Sequence, residues 1–307
     1  MYELTIIGGG PAGIAAGVYA SRKQLKTLFI TKDWGGQSIV STDIQNWIGS
    51  PSIAGSKLAS DLRTHLETYA GEYVDIKSGT TAGRIEKTPE GFTVHLSSGE
   101  SFATKAILVA SGSQRRQLPA VNADKFEHKG LTYCASCDGP MFSGQDVVVI
   151  GGGNAAFETA AQLLAYTKSV TLLQHGAAYK ADPVTVEKVL AHPNMTGILN
   201  AQVTEVTGET FVSGLTYLDT VTATPHTLST TGIFVEIGMM PNTEYLTDVV
   251  ELDAYKRVVI DPWTQKTETL GIWAAGDCTN ILYHQNNIAA GDAVRALEDI
   301  YVTLKTK

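Results

Sequence analysis

Leu4-Thr5-Ile6-Ile7-Gly8-Gly9-Gly10-Pro11-Ala12-Gly13-Ile14-Ala15-Ala16 opens the chain with an apolar run, a glycine-rich turn and a stretch with the look of a helix. Such a turn suits a pyrophosphate. Glycine lets the backbone approach closely, and the free N–H groups and dipole at the head of the helix face the anion. Thr27-Leu28-Phe29-Ile30-Thr31 reads as the next strand, with residues about 11 to 23 as the intervening helix, which makes half of a doubly wound sheet. The pattern returns at Val147-Val148-Val149-Ile150, Gly151-Gly152-Gly153-Asn154-Ala155-Ala156, a helix to about Tyr166 and the strand Val170-Thr171-Leu172-Leu173. One such loop is shared with ordinary tight turns, whereas two in the same strand-to-helix context are far more specific. The expected fold class is α/β, with two Rossmann-like dinucleotide-binding domains.

Between the loops, residues 72–109 hold short β-like runs punctuated by Gly79, Gly83, Gly91 and Gly99, and close on Ala106-Ile107-Leu108-Val109-Ala110-Ser111-Gly112. An antiparallel insertion returning to the sheet accounts for them. Ser113-Gln114-Arg115-Arg116-Gln117 with Pro119 reads as a linker, and the turn residues of Gly238-Met239-Met240-Pro241-Asn242-Thr243 read as a second. The tail Gly271-Ile272-Trp273-Ala274-Ala275-Gly276-Asp277 is a short apolar strand, and Gln285 to about Thr303 has helical spacing.

The 307 residues suffice for two domains of ordinary size. A hydrophobic content of 43%, a charged content of 18% and a formal net charge of -8 fit a globular protein that repels polyanions. With no run of Lys or Arg beyond two residues, neither nucleic acid nor an anionic membrane is an expected partner. Met1-Tyr2-Glu3 passes into a strand without a basic region, no apolar stretch has the length of a bilayer span, and three cysteines make no secreted framework. The expected location is cytoplasmic.

Cys134-Ala135-Ser136-Cys137-Asp138 lies about a dozen residues before the second loop. Cys-x-x-Cys brings two sulfurs within reach of a reversible disulfide, and neighbouring dipoles can lower one thiol pKa. Zinc would need four ligands, but the remaining cysteine is Cys278 and no second close Cys or His pair exists, so no metal is expected. Two inert buried thiols are the other reading of the pair, and packing is the expected role of Cys278. For Asp138 the sequence leaves two roles open: a proton shuttle beside the sulfurs, or a turn or helix cap. An acidic residue expected at the end of each second strand to bind ribose is missing, since the positions hold Thr31 and Lys32, with Asp33 slightly late, and Gln174 and His175.

The order Gly8 to Gly13, Gly35-Gly36-Gln37, Asn46-Trp47-Ile48-Gly49, Cys134 to Asp138, Gly151 to Ala156 and Ala274-Ala275-Gly276-Asp277 resembles the low-molecular-weight thioredoxin reductases over almost the whole chain. The resemblance implies three-layer ββα domains, a discontinuous FAD-binding domain at 1–113 and 246–307, and a second dinucleotide-binding domain at 114–245 that carries the cysteines. It implies FAD with its pyrophosphate at Gly8, Gly10, Pro11, Ala12 and Gly13, and with Gly35, Gly36, Gln37, Asn46, Gly112, Gly276 and Asp277 around the remainder. A helix N-terminus near Gln285 and Asn286 would face the flavin and stabilise its reduced anion. The second dinucleotide would lie at Gly151, Gly153, Asn154 and Ala155. Cys137 would be the flavin-facing sulfur, Cys134 the one that attacks a partner disulfide, and Asp138 the acid and base. Rotation of one domain against the other, and a homodimer, are further implications of the resemblance.

Members of that family using NADPH carry HRRxxxR where this chain reads Gln174-His175-Gly176-Ala177-Ala178-Tyr179-Lys180. Loss of two or three charge-assisted bonds would weaken NADPH by about a hundredfold or more, and Lys180 recovers only part. NADPH is therefore disfavoured. NADH, reduced ferredoxin as donor, or a second FAD in the nucleotide site are the alternatives. Tyr133, Pro140-Met141 and His284 also depart from the usual family residues, which leaves the partner a thioredoxin-like or other dithiol protein. The expected function is thus an FAD-dependent disulfide oxidoreductase. Its rivals are a ferredoxin- or flavodoxin-NADP reductase-type flavoenzyme and a non-catalytic flavin redox sensor.

Overall fold

The computed structural model describes residues 1–41 and 43–306. Apolar runs that end at glycine become strands, and the small-residue stretches after them become helices. In chain order the elements are β1 (Tyr2–Ile7), α1 (Pro11–Arg22), β2 (Thr27–Thr31), α2 (Gly55–Ala70), β3 (Val74–Ser78), β4 (Ala82–Thr88), β5 (Gly91–Leu96), β6 (Ser101–Val109), β7 (Ser113–Arg115), β8 (Leu131–Thr132), α3 (Ala135–Asp138), β9 (Asp146–Ile150) and α4 (Asn154–Leu164). There follow β10 (Ser169–Leu173), α5 (Pro183–Leu190), β11 (Met195–Ile198), β12 (Ala201–Gly208), β13 (Val212–Asp219), β14 (Thr224–Ser229), β15 (Gly232–Val235), β16 (Met239–Pro241), β17 (Ile272–Ala274) and α6 (Asn286–Lys305). The chain divides into two units, residues 1–114 with 240–307 and residues 115–239. Where it passes from one to the other and back, β7 and β16 pair as short strands.

In the first unit β3, β2, β1 and β6 run parallel in that order. The nine residues of β6 serve two partners on their outer edge. The first half pairs antiparallel with β5, and the last three residues pair parallel with β17, Ile272 opposite Ile107 and Ala274 opposite Val109. This is how the tail strand joins the N-terminal sheet. One face carries α1, α2 and α6 over Leu4, Ile6, Phe29, Leu66, Trp273 and Leu297. The other packs Ile7, Leu28, Ile107 and Val109 against Val94 and Val258. Each such side chain contributes about 1.5–3 kcal/mol of transfer free energy. α1 lies close to its neighbours because Gly17 has no side chain: a Cβ there would fall 2.8 Å from Leu66 Cδ1.

The second unit has a parallel sheet in the order β11-β10-β9-β15-β8 and an antiparallel sheet β12-β13-β14. Strand β9 is apolar on both faces because both are covered. Val148 and Ile150 join the core shared with Val206 and Leu215 of the antiparallel sheet, and Val147 and Val149 join the core under α4 with Phe157 and Leu163. The result is three layers, antiparallel sheet, parallel sheet and helices, in the α/β class that the two glycine loops predict. Among the described residues, no helix is long and apolar enough to cross a membrane.

Candidate functional site

The turn after β1 is tight at one glycine and open at another. A Cβ on Gly13 would fall 1.8 Å from the Gly8 carbonyl oxygen, so only glycine lets α1 start this close to the strand. Gly10 is different: the nearest atom to a Cβ there is Gly36 Cα, at 3.8 Å. Gly10 caps α1, Pro11 is its first residue, Ala12 follows, and no side chain bonds the helix end. The glycines at 8–13 and 35–36 thus border a cradle at the N-terminus of α1, where no side chain caps the helix, the setting a pyrophosphate needs.

Around that cradle the fold collects residues far apart in sequence. Gln37 Nε2 donates to Asp277 Oδ2 and to Ser113 Oγ, each at 3.2 Å. Asn46 Nδ2 donates to Gln285 Oε1 at 3.2 Å, and the Asn46 carbonyl accepts from Asn287 Nδ2 at 2.7 Å. Asn286, at the head of α6, accepts from Ser38 Oγ at 2.8 Å. Gly112 and Gly276 both take left-handed conformations, with φ of 64° and 78°, at the ends of β6 and β17. His284 Nδ1 lies 3.3 Å from Asp277 Oδ1. These residues form one polar rim to one cradle, and the set fits a flavin dinucleotide.

The second loop repeats the division of labour. A Cβ on Gly151 would fall 2.3 Å from the Glu236 carbonyl oxygen, while at Gly153 nothing lies within 4 Å. Gly153 caps α4 without a side-chain bond, and Asn154 and Ala155 are exposed in its first turn. Asn154 Oδ1 also accepts from the Asp182 N–H at 2.8 Å. At the end of β10 the buried Gln174 folds over Gly152 and donates from Nε2 to the Ala178 carbonyl at 3.0 Å. A neutral amide that ties the turn to itself thus stands where a ribose-binding acid is usual. The exposed polar side chains on this turn are His175 and Lys180, with no arginine.

Cys134 and Cys137 are joined as a disulfide with Cα atoms 5.3 Å apart, both half-buried. The four-residue α3 sets this spacing: Cys134 caps it, and the Cys137 N–H donates to Cys134 Sγ at 3.2 Å. Asp138 Oδ2 accepts from the Thr132 hydroxyl, which also accepts from the Cys134 N–H at 3.3 Å. One threonine at the end of β8 therefore orients both the carboxylate and the cysteine backbone. Cys278 is fully buried, its S–H directed at the Val109 and Ala275 carbonyls, and burial pushes its thiol up to about 11, the surroundings of a packing residue. Among the described residues no cluster of three or more His, Cys, Asp or Glu is arranged to hold a metal ion.

One residue at the second loop escapes the motif reading. Glu236 follows β15, accepts from Thr159 Oγ1 of α4 at 2.9 Å, and is pushed by burial up to about 7, against the pull of Arg115. Its sequence signal is slight: a lone carboxyl directly after the apolar Gly232-Ile233-Phe234-Val235.

A family model described as pyridine nucleotide-disulphide oxidoreductase matches residues 2–294. The chain belongs to that family. It is 39% identical over 298 residues to an alkyl hydroperoxide reductase component from Escherichia coli strain K12, covering 96% of this chain and 57% of that protein. It is 36% identical over 295 residues to an NADH dehydrogenase of Bacillus subtilis strain 168, again covering 96% and 57%. The chain thus spans a little over half the length of these curated relatives. Among solved structures, thioredoxin reductase from Streptococcus pyogenes superposes with a TM-score of 0.91 at 29% identity, covering 100% of this chain and 99% of that one. Thioredoxin reductase from Giardia duodenalis gives 0.92 at 28%, covering 98% and 99%. The resemblance to the low-molecular-weight thioredoxin reductases therefore holds in fold as well as in motifs.

Proposed function

We propose that this chain is an FAD-dependent disulfide oxidoreductase that passes electrons from NADH to the Cys134-Cys137 pair and on to a disulfide of a dithiol protein. The observation that carries the reading is the half-buried Cys134-Cys137 disulfide with Asp138 held beside it by Thr132. Residues 8–13, 35–37, Asn46, Gly112, Gly276, Asp277, Gln285 and Asn286 would hold the FAD. When bound, FAD supplies a ring that takes up and gives back two electrons. NADH is favoured over NADPH by the lack of arginine on the 174–180 turn, and by relatives whose name is NADH dehydrogenase. A second FAD at the Gly151 loop and reduced ferredoxin are the competing donors.

The thiol chemistry follows from the pair. Once reduced, Cys134 as thiolate attacks one sulfur of the partner disulfide; that S–S bond breaks, a mixed disulfide forms, and the released sulfur takes a proton. Cys137 as thiolate then attacks Cys134 Sγ, which re-forms the internal disulfide and frees the second partner thiol. Two electrons and two protons pass to the partner, and Asp138 is the group positioned to carry one of the protons.

Rapid mixing of the FAD-loaded protein with NADH or NADPH tests the donor. Bleaching of the flavin by micromolar NADH, at least about a hundredfold faster than by equal NADPH, is expected. Rapid reduction by micromolar NADPH overturns the assignment. Cys137→Ser separates the flavin reductase rival, which would keep full activity.

A further inference from the structure

Four strand ends of the second unit meet at one edge: β10, β9, β15 and β8 lie side by side and parallel, so the segments after them are neighbours. After β9 comes the Gly151 loop, and after β8 the cysteine pair. Glu236 ends the strand between them. Its N–H donates to the Ile150 carbonyl at 2.7 Å, and its own carbonyl is what forbids a side chain at Gly151.

The carboxyl lies on the α4 side. Phe234, two residues earlier, packs in the core under α4, and Oε1 of Glu236 accepts from Thr159 on that helix. Thus an ionisable group lies beneath the helix whose free N-terminus faces any pyrophosphate at Gly151 to Gly153. Two charged groups act on this carboxyl. Arg115 from β7 favours the carboxylate, and Glu158 from α4 opposes it.

We infer that Glu236 sets the affinity of the second loop for pyrophosphate-bearing nucleotides, which are bound together with a proton on this carboxyl. The inference rests on the reading of this loop as a dinucleotide site. A carboxylate there adds a negative charge in a poorly solvated position that Glu158 already opposes, whereas the neutral acid adds none. Since burial sets the titration near neutrality, the nucleotide affinity of this enzyme is tuned across the ordinary working range of pH. Nucleotide bound at pH 8 takes up a proton from solution.

The test is calorimetry on the FAD-loaded protein with ADP-ribose, whose pyrophosphate keeps a constant charge between pH 6 and 8, and in parallel with NADH. Wild-type affinity for ADP-ribose is expected to fall about tenfold from pH 6 to pH 8, with proton uptake seen as a buffer-dependent heat. Glu236→Gln keeps the acceptor for Thr159. It is expected to change less than about threefold over the same range and to bind at pH 8 about as the wild type does at pH 6. A slope common to both proteins belongs to groups other than Glu236. A Glu236→Gln protein with the wild-type slope, a wild type without one, or no ADP-ribose binding in either overturns the inference. ADP-ribose bound with the expected slope but NADH not bound at all leaves the role of Glu236 standing and removes NADH as donor.

Discussion

Asp138 and Cys137 carry different parts of the proposed chemistry, and replacing them separates the parts. Cys137→Ser removes the sulfur that resolves the mixed disulfide; turnover of a protein disulfide substrate is expected to fall at least about a thousandfold, while FAD content, read by absorbance after denaturing release, stays that of the wild type. Asp138→Asn keeps the Thr132 bond and loses the proton carrier, and a fall of about a hundredfold in turnover is expected. Glu236 makes a prediction about stability. Its ordinary value is 4.5 and in the fold it rises to about 7, so between these the folded protein holds one proton more than the unfolded chain. Stability is then fully present below about pH 4.5, declines as pH rises and is lost once pH passes 7, by on the order of 2–3 kcal/mol. Urea midpoints from pH 5 to 8 should show that decline in the wild type relative to Glu236→Gln. Parallel curves for the two proteins would contradict it.

At the scale of the element, the two glycines of the second loop make opposite predictions. Gly151→Ala drives a Cβ to 2.3 Å from a backbone oxygen, at a φ of +144°, and should destabilise the protein by about 1–3 kcal/mol in chemical denaturation. Gly153→Ala meets nothing within 4 Å and should leave the denaturation midpoint unchanged, yet weaken ADP-ribose binding about tenfold or more by filling the cradle. The strands and helices that form these loops were legible because apolar runs such as Val147 to Ile150 are bounded by glycine and followed by small residues. The β12-β13-β14 meander was not legible: β14, Thr-Pro-His-Thr-Leu-Ser, is almost wholly exposed and has no alternation to read. The rim of the first cradle was legible only through the family motif order. Gln37 and Asp277 are 240 residues apart, and nothing local in either stretch announces that they bond. Glu236 went unread because its hydrogen-bond partner Thr159 lies on another element, which the sequence around Val235 does not reveal.

For the whole molecule, the repeated strand-loop-helix units were plain in the sequence, since each joins an apolar strand to a helix through a glycine-rich turn. The repeat does not tell the two loops apart, because they share their glycines and differ at positions such as Gln174 and Lys180. In the proposed function a flavin and the Cys134-Cys137 pair in one chain form a single electron-accepting unit. Anaerobic titration of the FAD-loaded protein with dithionite, followed by flavin absorbance and thiol counting, tests it most directly. Two electrons for the flavin and two for the disulfide predict that the wild type takes up four per chain and gains two thiols, and that the Cys134→Ser, Cys137→Ser double variant takes up two. A wild type that is fully bleached by two electrons and gains no thiols would mean that flavin and disulfide do not exchange electrons.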